Sequence, residues 1–214
     1  LAAFKGPIIV YHPVGANHQL PPDYLRHAPR VYYLHSIENW DALERGLRAV
    51  HARVHLAQSR VLRVSGQIQR EVDDEEPLFK LPIHSIPTAQ FNDLFDRLTV
   101  TPEMRALARS FRRRARAVTD LREQAFLDAV RAHAAVGQLL ERHQADAITI
   151  ECLFLKHRKP CLSFALHNGS LIPCGCENHL DPTLTLLLGA RSFCRGGFQH
   201  NPEFATQNNH LYAT

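Results

Sequence analysis

Glu151, Glu177, His179 and Asp181 are the residues whose types and spacing best suit chemistry in this chain. Glu151 follows a short apolar run, AITI at 147–150, and the other three fall between 177 and 181, just before a second apolar run. Carboxylates and an imidazole together suit Mn²⁺, Mg²⁺, Co²⁺ or Zn²⁺ better than Ca²⁺. A carboxylate so placed can also take up and return a proton. In α/β proteins the carboxyl ends of strands face the crevice where ligands bind, which gives Glu151 its weight. The plainer reading makes Asp181 a helix cap, His179 a loop residue and Glu151 one more solvated acid.

The cysteines offer a second chemistry. Cys174, Cys176, His179 and Cys194 are ligand types for a structural zinc ion, although C-x-C is tighter than the usual C-x₂₋₄-C and no second pair follows. Cys152 and Cys161 are also candidates for a nucleophile, without a local signature; buried inert thiols are the commoner outcome. There is no G-x-x-x-x-G-K-[ST] loop and no G-x-G-x-x-G after a strand, which argues against nucleotide and dinucleotide chemistry.

The elements that must position these residues alternate. Residues 7–11 (PIIVY), 31–34 and 60–64 read as strands, the first as one buried on both faces. Between the last two, Trp40, Leu43, Leu47, Val50, Val54 and Ala57 recur every three or four residues, which predicts an amphipathic helix from Trp40 to about Gln58 with Ser36 as its cap. The acidic run 71–76 reads as a solvated loop, 81–86 as a short strand and 89–98 as a helix. Thr101-Pro102 opens a further helix bearing Arg105, Arg109, Arg112, Arg113, Arg114 and Arg116. No aromatics interleave with these arginines, so a solvated or interface surface is expected and no nucleic-acid partner. Thr119-Asp120 is expected to cap a long helix to about His143, whose alanines and Gly137 suggest close packing on a sheet. Strands at 147–150 and 162–165 and a helix from Asp181-Pro182 through Leu188 complete the pattern. The expected fold is therefore α/β: a Rossmann-like parallel sheet flanked by helices over residues 1–165, followed by the beginning of a second, partly β domain over 166–214.

Composition agrees. A hydrophobic content of 45% and a charged content of 21% are those of a globular protein, and a net charge of +4 with interspersed signs calls for no polyanionic partner. No apolar run approaches the ~18–20 residues a membrane helix needs, so no membrane partner is expected. An odd number of cysteines, five in a chain of 214 residues, points to free thiols and a cytoplasmic setting. The chain starts at Leu1 rather than Met and ends without a polar tail, which suggests a piece of something longer.

An acid-ended strand, then P-C-…-C-E-N-H leading into LTLLLGA, then an Asn-rich stretch, resembles the L-fucose isomerase/L-arabinose isomerase superfamily. The motifs lie within 148–190, and the likeness extends over roughly 7–214, to the family's middle domain and the start of its carboxyl-terminal domain. Glu151 matches the family's glutamate after an "aiti"-like strand. Glu177-Asn178-His179 matches its Glu-Ala-Asp segment, with His179 where the family has Asp. The resemblance implies a sugar isomerase that interconverts aldose and ketose through an enediol, with Mn²⁺ or a related divalent cation. It implies Glu151 and Glu177 as catalytic carboxylates and Glu151 and His179 as metal ligands. The third ligand's place falls at His210 or beyond Thr214. It further implies a homo-oligomer with sites near subunit interfaces. The alternatives left open are a catalytically degenerate sugar-binding or assembly protein of the same fold and a structural zinc module.

Overall fold

The computed structural model describes residues 4–13, 22–23, 27–36, 40–119 and 122–213. Its contacts separate two compact units, residues 1–55 and 56–214. In the first, β1 (Ile8–Pro13) and β2 (Val31–Ser36) pair in parallel, Ile8 opposite Val31 through Pro13 opposite Ser36. Residues 7–11 are half-buried, because a two-stranded ribbon cannot cover both faces of a strand. Helix α1 (Trp40–Gln58) starts in this unit and ends in the second. The helix is where its periodicity predicts, but Trp40 and Leu47 are exposed while Ala52 and Leu56, one turn apart, are buried. The expected Ser36 cap falls on the link at 37–39, which lies outside the described residues.

The second unit is built on a five-stranded sheet of order β4-β5-β3-β6-β7. The strands are β3 (Val61–Ser65), β4 (Val72–Glu76), β5 (Leu81–Pro87), β6 (Ala147–Ile150) and β7 (Cys174–Gly175). All run parallel except β4, which pairs antiparallel on the β5 edge. This is the expected α/β class, a mostly parallel sheet flanked by helices. Two-faced burial explains the near-continuous apolar runs of β3 and β6, whose residues 147–150 are all buried.

Helices α2 (Thr88–Arg97), α3 (Pro102–Arg114), α4 (Glu123–Arg142), α5 (Cys161–Gly169) and α6 (Leu180–Phe193) surround it. Side chains alternate along each strand, so the two faces have separate cores. One joins Leu62, Val64, Ile86, Ile148 and Ile150 to Phe91 and Phe95 of α2, Val136 and Leu139 of α4 and Phe164 of α5. The other joins Val61, Leu81, Ile83 and Ala147 to Leu56 of α1 and to Leu184 and Leu187 of α6. Each such side chain, fully buried, contributes roughly 1.5–3 kcal/mol.

Several local expectations fail for physical reasons. The acidic run is strand β4, not a loop: Asp73 lies opposite His84 of β5, with Oδ1 2.8 Å from Nδ1, and Glu76 accepts from the Leu78 and Phe79 amides to close the hairpin. Its charges suit a solvent-facing edge. Residues 162–165 are inside α5, because a short apolar run does not distinguish helix from strand. The sheet position expected for them is filled by β7, two residues long. Residues 165 and 166, where the boundary is expected, lie within α5. Helix α4 starts after Arg122, with Asp120 outside the described residues, and its Gly137 meets nothing within 4 Å of an added Cβ. Close packing is carried instead by Ala132 and Ala135, both fully buried. Asp181 is not a cap but sits in the first turn of α6, whose N-cap is His179. That helix runs past Gly189 to Phe193 and ends on Cys194 in the left-handed conformation. Thr101, by contrast, caps α3 as expected, its Oγ1 accepting from the Met104 amide at 3.3 Å. Strands β8 (Pro202–Ala205) and β9 (His210–Ala213) form a terminal hairpin.

Candidate functional site at the ends of β3 and β6

Strands β3 and β6 are neighbours in the middle of the sheet, and their onward connections leave in opposite directions. The chain leaving β3 goes to β4 and β5 on one side; the chain leaving β6 goes through α5 to β7 on the other. Such a divergence marks the topological switch point, the place where ligands bind in open α/β sheets.

Glu151 stands at this point. Its amide donates to the Val64 carbonyl at 2.9 Å, extending the β3–β6 ladder by one bond. Its Oε2 accepts from the Gly66 amide at 2.7 Å and from Ser65 Oγ at 3.3 Å. The backbone donor at the end of β3 thus fixes one carboxylate oxygen. A Cβ added at Gly66 would lie 3.4 Å from Oε2, an ordinary contact, so the bond belongs to the backbone and does not depend on glycine.

A third segment completes the cluster. Asn178 Nδ2 donates to Ser65 Oγ at 3.3 Å, and its Oδ1 accepts from Arg63 Nε at 2.7 Å. The Asn178 amide donates to the Ile150 carbonyl at 3.1 Å. Glu177 and Asn178 both hold φ near +60°, a conformation that costs non-glycine residues of order 1 kcal/mol each. The turn is paid for by the bonds that bring Asn178 over β3. Arg63, Ser65 and Glu151 thus form one polar row on the α6 side of the sheet, with Asn178 joining its first two members.

The opposite side carries sulfur. Cys152 follows Glu151 and so faces the α4/α5 core, with its Sγ 2.9 Å from Cys176 Sγ. The hydrogen bond from Cys176, the Glu177 amide and the Lys159 charge hold the Cys152 thiol down at about 6, against the desolvation that raises it. Cys176 is pushed up by its bond to Cys152 and by burial, and Cys174 is pushed up by burial. Lys159 Nζ donates to the carbonyls of Cys152 and Leu153 at 2.7 and 2.8 Å, which holds this loop in place.

The sequence-predicted residues are only partly assembled. Glu151 is at the strand end as expected. Glu177 lies in the adjoining turn and His179 is exposed at the start of α6, and neither side chain joins the hydrogen bonds around Glu151. His210 begins β9 in the hairpin. Among the described residues no three His, Cys, Asp or Glu side chains are grouped to hold a metal ion. All five cysteines are free. Sequence reasoning missed Ser65, Gly66, Arg63 and Asn178. The available signal was Ser65-Gly66 at the end of an apolar strand.

No family model matches the chain, and no curated protein sequence does. No helix among the described residues is long and apolar enough to cross a membrane.

Proposed function

We propose that the switch point at Glu151 binds a small polyhydroxylated molecule, a sugar or sugar derivative, and that Glu151 is the acid/base of an aldose–ketose isomerisation. The carrying observation is the Glu151 carboxylate, anchored through Oε2 by the Gly66 amide and the Ser65 hydroxyl at the sheet's divergence point. A carboxylate anchored through one oxygen can take a proton from the carbon beside a carbonyl and return it to the neighbouring carbon. The neutral and cationic donors of Asn178 and Arg63 suit sugar hydroxyls and the developing enediolate charge. The resemblance to the sugar isomerases adds the reaction class. It also adds Mn²⁺ and a homo-oligomeric assembly. Five free thiols support a reducing, cytoplasmic setting.

The test is solvent deuterium incorporation into a panel of aldoses by the full chain, with and without added Mn²⁺. Exchange at the carbon beside the carbonyl is expected for at least one sugar. Glu151→Gln is expected to lower it by roughly 10²–10⁴-fold, the usual size of a general-base contribution. Exchange that survives Glu151→Gln would contradict the assignment.

A further inference from the structure

Cys152 and Cys176 occupy the ends of two neighbouring parallel strands, with sulfurs 2.9 Å apart. A disulfide needs about 2.0 Å between sulfurs, so only a small displacement separates the thiol pair from the bonded form. The two are not equally accessible. Cys152 is 4% exposed, whereas Cys176 opens on a cavity of about 270 Å³ bounded by Cys161, Phe164, Phe198 and His200. Phe198 and His200 come from the irregular segment after α6, and the Cys176 amide is fixed from that segment by Gln199 Oε1 at 2.8 Å. A sulfur facing a cavity, with a second sulfur directly behind it, is the arrangement that thiol exchange requires.

We propose that Cys152 and Cys176 form a thiol–disulfide exchange site, which takes a low-molecular-weight disulfide through this cavity. The pair carries one proton, which rests on Cys176; exchange goes through the minor form in which that proton has passed to Cys152 along the sulfur–sulfur hydrogen bond, because Cys176 is the sulfur that opens on the cavity. The Cys176 thiolate attacks one sulfur of the reagent R–S–S–R; the reagent's S–S bond breaks and RS⁻ leaves. The proton now on Cys152 goes to that RS⁻. The Cys152 thiolate then attacks the Cys176 sulfur of the mixed disulfide, the Cys152–Cys176 bond forms, and a second RS⁻ leaves and takes a proton from water. The exchange starts from the pair carrying one proton; where both sulfurs are protonated, the medium first takes one proton, and the same steps follow. The protein loses two electrons and the reagent gains them. In the closed form the turn carrying Asn178 is covalently tied to the strand end carrying Glu151.

Oxidised glutathione is the probe, applied to the full chain, with non-reduced peptide mapping as the readout. The wild-type chain is expected to yield a Cys152–Cys176 cross-link. Cys152→Ser is expected to retain one glutathione on Cys176. In Cys176→Ser, glutathione addition to Cys152 is expected to be about tenfold slower, since access as well as nucleophilicity sets exchange rates. Glutathione found only on the exposed Cys161 and Cys194, with Cys152 and Cys176 both still alkylatable after unfolding, would overturn the proposal. Equal rates at Cys152 and Cys176 in the two variants would overturn the order of attack. The wild-type map alone decides whether the site exists, so a variant that fails to fold does not blunt the test.

Discussion

Glu151 and Cys152 are consecutive residues, yet they serve opposite faces of one sheet. The α6 face carries Arg63, Ser65 and Glu151, linked through Asn178 and backed by a small apolar core of Val61, Ala147, Leu184 and Leu187. The α4/α5 face carries Cys152 and Cys176 on a larger core that includes Phe91, Val136, Leu139 and Ile150. The two-residue period of a strand is enough to separate proton chemistry from sulfur chemistry at a single strand end. Rigid strands do the sorting, and the loops supply only the partners.

Substitutions on one face should therefore leave the other standing. The largest stability effect is expected at Gly175, where an added Cβ would run into the Thr183 side chain of α6. Gly175→Ala should cost roughly 1–3 kcal/mol in urea unfolding, the usual range for overpacking. The loss should come with weaker sugar binding, because α6 and its preceding turn are displaced. Unchanged stability would mean that α6 does not rest on β7 as described.

An intermediate effect should belong to the sulfur face alone. His133 and His167 lie side by side between α4 and α5, ring centroids 4.7 Å apart, and burial lowers both, His167 to about 4. An unfolded imidazole takes its proton near 6.5, the folded His167 only near 4. The unfolded chain thus binds more protons in that window, and stability should be level above it and fall as the pH drops from about 6.5 toward 4. Urea midpoints across this range check the sign, and His167→Gln should flatten the slope. Stability that rises on acidification would contradict the buried pair.

The smallest effect is a gain. Gly137 is inside α4 with open space at its Cβ position. Gly137→Ala should stabilise by roughly 0.5–1 kcal/mol through helix propensity, without altering either site. A loss would show that the helix surface at Gly137 is covered.

What was legible in the sequence follows the same physics. Strands β3 and β6 are short apolar runs because both of their faces are buried, and that pattern is local. The position of Glu151 at a strand end was equally local. Its partners were not: Ser65 and Gly66 reach it from 86 and 85 residues away, and Asn178 reaches Ser65 across 113. No spacing rule connects such segments; only the sheet order does. Strand β4 was hidden because its acids are stabilised by a cross-strand histidine and a hairpin turn rather than by apolar burial. Strand β7 was hidden by its length. The Cys152–Cys176 pair needed the β6–β7 register, with Ile148 opposite Cys174, before the two sulfurs could be placed together.

The most direct measurement compares Glu151→Gln with Cys152→Ser under reducing conditions, following deuterium exchange into the sugar that the wild-type chain accepts. The separation of faces requires exchange to be lost in Glu151→Gln and retained in Cys152→Ser, with both variants folded by circular dichroism. Exchange retained in Glu151→Gln, or lost equally in both, would contradict it.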